Sequence, residues 1–425
     1  MNKRPSRPLP ASPQTKPSLG VRAAGGLTML AIVYGALLGG EMLAGYRLDT
    51  LQEQAASTYA QAFDIEAERF KLQDLPQIHA AVAQGYEQNL FPSAFERGEL
   101  LELAIKNKIA PLAPQPLSRL YYCNEGYGLV RYQSDRFGFR NDDALWNKPQ
   151  IDAVLIGDSY AHGACVGQAD TIAGQIQARG VDSVLNLATG GNGPIHYAAL
   201  AKTFLPMIKP KYALFFFFAN DNKDETQSIY RDLFFGDVAP AYFQPLEGQG
   251  RPTGVSDTLL RLYNDARTRM HVPGDDAALT PAPIKSTRPP PGIPFFEKVK
   301  GALSLRDLRS LLTSVVVQWR AAAVPPWSTR LAIDTALSIC REVGCRPIFF
   351  YLPNSDFWSP DFRANAYRRG IKAYVEDHAP PGAFVDLTPT IAALGLKGFS
   401  PKGKHYSSAG YSKVAQSVLR AMDEQ

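Results

Sequence analysis

The sequence is poor in the residue patterns that mark metal, nucleotide and nucleic-acid sites. Its four cysteines lack CxxC spacing, no histidine joins them in a zinc pattern, and three disulfide pairings are open to them. The net charge of +5 is small for 425 residues, and scattered lysines and arginines argue against nucleic-acid binding. The GGNG motif at 190–193 lacks the Lys-Ser or Lys-Thr pair of a Walker loop. We therefore expect no metal, nucleotide or redox cofactor.

The first 26 residues contain basic but no acidic side chains. Residues 27–46 follow with a single charge, Glu41, and at 1.5 Å per residue this run spans roughly 30 Å, the thickness of a bilayer core. Since basic residues favour the cytoplasmic side, we predict a cytoplasmic tail at 1–26, a transmembrane signal anchor at 27–46 and a single-pass inner (cell) membrane protein with a periplasmic or otherwise extracytoplasmic domain. A cleaved signal peptide and a buried core helix are the alternatives for this segment.

Alternating strand and helix patterns begin at residue 152. Five short runs are apolar on both faces, as strands of a helix-covered parallel sheet are: they lie at 152–157, 183–188, 212–219, 346–353 and 383–388. Helical spacing lies between and after them, at 192–208, 329–343, 361–377 and 407–422. This order predicts a doubly wound α/β domain over 151–425.

Two segments fall outside this pattern. Residues 47–150 are predicted as a helical lead-in, with helical spacing at 51–72 and 80–108. Residues 226–326 interrupt the domain after its third strand, and the proline-rich stretch 280–294 predicts an irregular surface excursion. Two interpretations of this insertion remain open: a lid or platform for the substrate, and a disordered or decorative insert.

Residues with complementary chemistry follow the predicted strands, at the edge where open α/β sheets bind ligands. Ser159 follows the first strand, Gly191 the second and Asn220 the third, while His405 precedes the last helix. Acyl transfer needs a nucleophile, a general base and donors for the oxyanion. We predict that Ser159 attacks and that His405 takes its proton. The backbone amides of Ser159 and Gly191 and the side-chain amide of Asn220 are the predicted oxyanion hole.

The motifs GDSYAHG, NLATGG, ANDN and KHYSSAGY, in that order, resemble those of the SGNH (GDSL-type) hydrolases. The resemblance covers roughly 152–425 without the insertion. It implies a flavodoxin-like three-layer α/β/α sandwich with a parallel sheet. It also implies Ser159 as the nucleophile, Gly191 and Asn220 as oxyanion residues and His405 as the base.

One position departs from the family pattern. The family places an aspartate two or three residues before the histidine, where this chain has Gly403 and Lys402. We expect Asp386, after the fifth strand, to orient His405 instead. Asp356, after the fourth strand, and a Ser-His dyad without a carboxylate are the alternatives.

The resemblance implies ester hydrolysis or acyl transfer through an acyl-enzyme on Ser159, with water or a sugar hydroxyl as the acceptor. For a membrane-anchored member it implies acyl esters, chiefly acetyl esters, of an envelope or exported polysaccharide as substrate. Polysaccharide assembly proteins are the candidate partners. The alternatives are a non-catalytic binding or scaffold protein of a polysaccharide assembly complex and a lipid esterase.

Overall fold

The computed structural model describes residues 32–40, 43, 75–221, 228–237, 240–245, 251–269, 309, 324–354 and 362–424. The chain divides into two compact units, Met1–Thr50 with Arg288–Thr313, and Leu51–Thr287 with Ser314–Gln425. In the first unit, residues 32–40 are helical and mostly exposed. Among the described residues, none of the helices combines the length and the hydrophobicity needed to span a bilayer. Much of the predicted anchor at 27–46 lies outside them.

The second unit alternates strands and helices along most of its length. Its described strands are β1 (Glu87–Gln88), β2 (Arg119–Tyr121), β3 (Arg131–Gln133), β4 (Ala153–Ile156), β5 (Val184–Asn186), β6 (Tyr212–Phe218), β7 (Arg346–Leu352) and β8 (Phe384–Asp386). Its described α-helices are α1 (Leu75–Ala83), α2 (Gly98–Asn107), α3 (Ser159–His162), α4 (Ile172–Gln177), α5 (Pro194–Ile208), α6 (Ile229–Phe235), α7 (Asp257–Arg269), α8 (Trp327–Val343), α9 (Phe362–His378), α10 (Thr388–Ala392) and α11 (Ser408–Asp423). Short 3-10 helices lie at Pro92–Glu96, Asp143–Asn147, Gln168–Asp170 and Gly395–Gly398.

The core of this unit is a five-stranded parallel sheet in the order β5-β4-β6-β7-β8. Each strand falls on one of the five predicted apolar runs, and the α/β class is confirmed. The strands β4, β5 and β6 are buried almost throughout, as expected for strands with helices on both faces. Counted along the sheet, the order 2-1-3-4-5 is that of flavodoxin-like domains, which bind ligands beyond the carboxyl ends of their strands.

Helices cover both faces of this sheet. The chain passes from β4 to β5 through α4 and returns from β5 to β6 through α5, and right-handed crossovers in opposite directions place α4 and α5 on opposite faces. Helix α11 packs against α4, and α8 packs against α5. The four predicted helices of the domain are confirmed, as α5, α8, α9 and α11.

The lead-in before this sheet is less helical than its sequence spacing predicts. Its helices α1 and α2 are separated by Gly85, which has a φ of +79°, and by a 3-10 turn that begins at Pro92. Between 87 and 133, the short strands β1, β2 and β3 form a second sheet, with β2 in the centre. The prediction of helix over 80–108 is therefore wrong in its middle part, where glycine and proline interrupt the helical backbone.

A buried carboxylate fixes the lead-in to the edge of the main sheet. Asp135 accepts hydrogen bonds from two backbone amides and from the side chains of Asn141 and Trp146, at 2.8–2.9 Å. Burial raises its pKa to about 6, although these hydrogen bonds lower it. Asn141 in turn pairs with the backbone of Asn186 in the edge strand β5. The lead-in is thereby packed along the sheet edge.

The described part of the insertion is ordered and contributes to the core. Helices α6 and α7 bury Tyr230 and Tyr263, whose hydroxyl groups donate to the carbonyls of Pro111 and Ala113 at 2.7 and 2.6 Å. This part is therefore not a disordered insert. The proline-rich stretch 280–294 lies outside the described residues.

Candidate active site

Ser159 lies in the tight turn that follows β4. Gly157 fits there because a Cβ atom at this position would lie 2.6 Å from the Cβ of Ala161. The carboxylate of Asp158 caps the short helix α3 by accepting a 2.9 Å hydrogen bond from the backbone amide of Tyr160. This turn places Ser159 as the first residue of α3, at the carboxyl end of β4.

His405 reaches Ser159 from the loop before α11. Its Nε2 atom lies 3.0 Å from the Oγ atom of Ser159, although the two residues are 246 positions apart. The ring of Tyr160 lies beside the imidazole, with ring centroids 4.8 Å apart, and the Tyr160 hydroxyl donates to the carbonyl of Lys404 at 2.7 Å. The structure therefore brings together the predicted nucleophile and base at hydrogen-bonding distance.

The carboxylate next to His405 belongs to Glu125, in the loop between β2 and β3. Its Oε1 atom lies 2.8 Å from Nδ1 of His405. Its Oε2 atom accepts from the backbone amide of His405 at 3.0 Å and from the Ser400 hydroxyl. A carboxylate at Nδ1 keeps the proton on that nitrogen and leaves Nε2 free to accept the proton of Ser159. Glu125, His405 and Ser159 thus form a continuous hydrogen-bonded series.

Glu125 is ionised despite being mostly buried. Burial alone raises the pKa of its carboxyl group, but the hydrogen bond and positive charge of His405 and the hydrogen bond from Ser400 together lower it below its ordinary value. The carboxylate is therefore charged at neutral pH. A carboxylate in this position can stabilise an imidazolium on His405.

Gly403 leaves the space beside His405 that the side chain of Glu125 fills. A Cβ atom at Gly403 would lie 1.8 Å from Cδ of Glu125, so the glutamate side chain occupies the space of a side chain at this position. The expectation that Asp386 orients His405 is corrected here. The carboxylate of Asp386 lies 3.3 Å from Nη1 of Arg368 and accepts from the backbone amide of Thr388 at 2.9 Å. The alternative acid, Asp356, lies outside the described residues.

Glu125 and Ser400 were not predicted from the sequence, because neither follows a strand of the main sheet. Glu125 lies 280 positions before His405, in the segment predicted as a helical lead-in. The one available signal was Gly403 itself, since a glycine leaves room for a side chain from elsewhere. That signal does not specify which acid fills the space.

Two of the predicted oxyanion residues, Gly191 and Asn220, lie in the loops that follow the strands flanking β4. Gly191 is in the loop after β5, where Thr189 donates to the carbonyl of Gly157 at 3.3 Å and so connects this loop to the turn of Ser159. Gly191 has a φ of +72°, and a Cβ atom there would lie 2.4 Å from Oγ of Ser93. Asn220 is exposed in the turn after β6. Both lie at the carboxyl edge of the sheet, and their role in an oxyanion hole stays a prediction.

His162 lies one helical turn after Ser159 but is not suited to be its base. Its ring is buried against those of Tyr122 and Tyr132, with centroid distances of 5.5 and 5.8 Å. Burial and the nearby charge of Arg140 lower its pKa well below the ordinary value. His162 is therefore a neutral side chain of the packed interior.

Glu125, Cys165 and His405 bring three potential metal-ligand atoms within 4.8 Å of one another. The Sγ atom of Cys165 is bonded to Cys123, however, and a disulfide sulfur is not the thiolate that binds metals. The other two side chains are hydrogen-bonded to each other. We interpret this cluster as an acid-base pair beside a disulfide.

No protein-family model matches the chain, and no curated protein matches it. Among solved structures, the chain is similar to TesA, with a TM-score of 0.33 and 11% identity over 64% of this chain and 97% of that one. It is also similar to a lipase/acylhydrolase from Enterococcus faecalis, with a TM-score of 0.32 and 12% identity over 64% and 95% of the two chains. A catalytic mutant of Axe2, an acetylxylan esterase from Geobacillus stearothermophilus, has a TM-score of 0.31 and 14% identity over 64% and 94%.

Proposed function

We propose that this protein is a serine ester hydrolase or acyltransferase of the SGNH type. The observation that carries the proposal is the series from Ser159 Oγ to His405 Nε2, at 3.0 Å, and from His405 Nδ1 to Glu125 Oε1, at 2.8 Å. A hydroxyl group, an imidazole and a carboxylate in this order are the parts that acyl transfer through a covalent intermediate requires.

The reaction proceeds in two steps. Ser159 Oγ bonds to the acyl carbon while His405 Nε2 takes the serine proton, and the oxyanion collapses to an acyl-enzyme as His405 returns that proton to the departing alcohol. Water or a sugar hydroxyl then gives a proton to His405 as its oxygen bonds to the acyl carbon. The second oxyanion collapses, the bond from the acyl carbon to Ser159 Oγ breaks, and His405 returns the proton to Ser159. Glu125 stays ionised throughout and stabilises the imidazolium in both steps.

The substrate that we propose is an acyl ester, chiefly an acetyl ester, of an envelope or exported polysaccharide. This rests on the predicted anchor at 27–46 and the resulting extracytoplasmic location of the catalytic domain. Disulfides persist in oxidising compartments, and all four cysteines of the chain are paired, as Cys123–Cys165 and Cys340–Cys345. Proteins that assemble the polysaccharide are the proposed partners.

The absence of an aspartate two or three residues before His405 favours a non-catalytic scaffold. Glu125 supplies a carboxylate at Nδ1 instead, and this contact supports the enzyme over that alternative. A lipid esterase would use the same acyl-enzyme and would differ in its preference for long acyl chains.

The test is ester hydrolysis by the full chain, with p-nitrophenyl acetate as substrate. We expect Ser159→Ala and His405→Ala each to lower kcat at least about a thousandfold, because the nucleophile and base act as a unit. Ser338→Ala, at an exposed serine of α8, is the matched control and keeps wild-type activity. Wild-type turnover that Ser159→Ala leaves intact would contradict the proposal.

Two further measurements on the active protein separate the remaining alternatives. A series of p-nitrophenyl esters from acetate to octanoate distinguishes an acetyl esterase from a lipid esterase. Adding a sugar acceptor and detecting the acylated sugar by mass spectrometry distinguishes a transferase from a hydrolase.

A further inference from the structure

A disulfide joins the two loops that carry the catalytic groups on either side of His405. Cys123 lies two residues before Glu125, in the loop between β2 and β3, and Cys165 follows α3, the helix that begins with Ser159. Their Cα atoms are 5.0 Å apart. The segment that provides the acid is thus covalently bound to the segment that provides the nucleophile.

The disulfide also lies beside the catalytic imidazole. The Sγ atom of Cys165 is 3.9 Å from Nδ1 of His405, the nitrogen that faces Glu125. Any shift of this sulfur atom or of the loop bonded to it therefore changes the surroundings of the hydrogen bond between His405 and Glu125.

The two ends of the disulfide are held to different degrees. On the Cys165 side, the buried guanidinium of Arg140 donates to the carbonyls of Gly163 and Val166, at 3.0 and 2.8 Å, and so fixes the backbone on both sides of the cysteine. On the Cys123 side, the chain belongs to a small sheet whose strands are only two or three residues long. Sheets of this size have little stability of their own. Cys165 is therefore the better fixed of the two cysteines, and the disulfide restrains the Glu125 loop through it.

Noncovalent contacts also hold the Glu125 loop, and the side chain of Asn124 accepts from the backbone amides of Gly126 and Gly128 at 2.9 and 3.0 Å. Val130 donates to the carbonyl of Cys123, and Lys402 donates to the carbonyl of Glu125, both at 3.0 Å. An aspartate two residues before His405 would be held in place by the same short loop as the histidine. A glutamate from 280 positions away has no such local connection, and the disulfide supplies a covalent one.

We propose that Cys123 and Cys165 are positioning residues for Glu125, and that their disulfide makes the activity depend on the thiol redox state. A dithiol gives two electrons and two protons to the disulfide and closes to its own disulfide, which leaves thiols at Cys123 and Cys165. The Glu125 loop then loses its covalent restraint, and His405 loses the partner that fixes its tautomer. This inference rests on the proposed acyl-enzyme chemistry at Ser159.

The second disulfide provides a matched control. Cys340–Cys345 spans the turn from α8 into β7, at the amino end of the parallel sheet, whereas the catalytic groups lie at the carboxyl end. Cys340→Ser/Cys345→Ser removes a disulfide from the same unit without touching the site.

The experiment compares the two double variants of the full chain by kcat and KM for p-nitrophenyl acetate, with thermal unfolding as the folding control. We expect Cys123→Ser/Cys165→Ser to lower kcat about tenfold to a hundredfold with little change in KM, as loss of an orienting partner does. The control variant keeps the wild-type kcat. Equal kcat values in the two double variants would overturn the inference.

A double-mutant cycle shows whether the disulfide acts through Glu125. If it does, removing the disulfide in a Glu125→Ala background costs little further activity, so the two losses are not additive. Fully additive losses would mean that the disulfide does not act through Glu125, which overturns the proposed role.

If the variant without Cys123 and Cys165 does not fold, reduction of the folded Cys340→Ser/Cys345→Ser protein gives the same test. Dithiothreitol then opens only the disulfide at the site, and kcat is expected to fall and to return on reoxidation. An unchanged kcat after complete reduction, shown by thiol counting, overturns the inference while the proposed function stands. A wild-type protein without Ser159-dependent turnover overturns both.

Discussion

At the scale of single residues, the site depends on an exchange: position 403 has no side chain, and the side chain of Glu125 fills the space beside His405. The position two before His405 is a glycine, and the carboxylate that contacts Nδ1 of His405 comes from Glu125. The two observations belong together because a side chain at Gly403 and the side chain of Glu125 would overlap. The sequence identified Ser159 and His405, which lie in compact motifs. It did not identify Glu125, because only the folded chain places that residue beside Gly403.

This exchange predicts that an aspartate at 403 can take over from Glu125. We expect Glu125→Ala to lower kcat about a hundredfold or more, by analogy with other losses of the orienting acid. Adding Gly403→Asp to Glu125→Ala should raise kcat at least about tenfold above that of the Glu125→Ala variant, because Glu125→Ala frees the space that the new side chain needs. The measurement is kcat with p-nitrophenyl acetate for the single and double variants.

The controls separate the carboxylate from the space that it fills. Gly403→Ala in the Glu125→Ala background adds a Cβ atom without a carboxylate and should restore nothing. Gly403→Asp in the wild-type background should lose activity, since its Cβ atom would lie 1.8 Å from Glu125. Equal activity of the Gly403→Asp and Gly403→Ala variants in the Glu125→Ala background would refute the exchange.

At the scale of elements, the sequence predicts long apolar segments well and short segments poorly. The five strands of the main sheet are confirmed because continuous hydrophobic runs of this kind are typical of strands buried on both faces. The strands β1, β2 and β3 were not predicted, because two or three residues are too few to show the alternation of polar and apolar side chains that marks a strand. Their pairing brings together Glu87 and Leu120, a contact that depends on the tertiary fold.

The loop after β5 gives a test at this scale. Gly191 and Gly180 both have positive φ, of +72° and +99°, but only Gly191 has a close neighbour, Ser93. Alanine at either position should lower the free energy of unfolding by about 1 kcal/mol through backbone strain. Gly191→Ala should also displace the loop from the site and lower kcat about tenfold to a hundredfold, approaching the loss of one oxyanion donor.

Thermal unfolding and kcat, measured on the two variants side by side, check this prediction. Gly180→Ala is expected to keep the wild-type kcat because the space around it is open. If Gly191→Ala also keeps it, the loop after β5 does not contribute to the oxyanion hole.

At the scale of the whole molecule, residues 75–150 of the lead-in and the described residues of the insertion between 228 and 269 belong to the same unit as the sheet. Asp135 and Asn141 fix the lead-in to the edge strand β5, and Tyr263 of the insertion donates to the lead-in at Ala113. Such contacts between segments distant in sequence leave no local pattern. The sequence therefore predicted the α/β sheet but not that the lead-in would complete the catalytic site. The membrane anchor and the extracytoplasmic location stay predictions.

The most direct test of a reactive Ser159 is covalent labelling with a fluorophosphonate, followed by intact-protein mass spectrometry and peptide mapping. The account predicts one adduct per chain, on Ser159, and none in the Ser159→Ala variant, because His405 and Glu125 are placed to activate this hydroxyl. A folded wild-type protein that takes up no label, or takes it up at another residue, would contradict the assignment of Ser159 as the nucleophile.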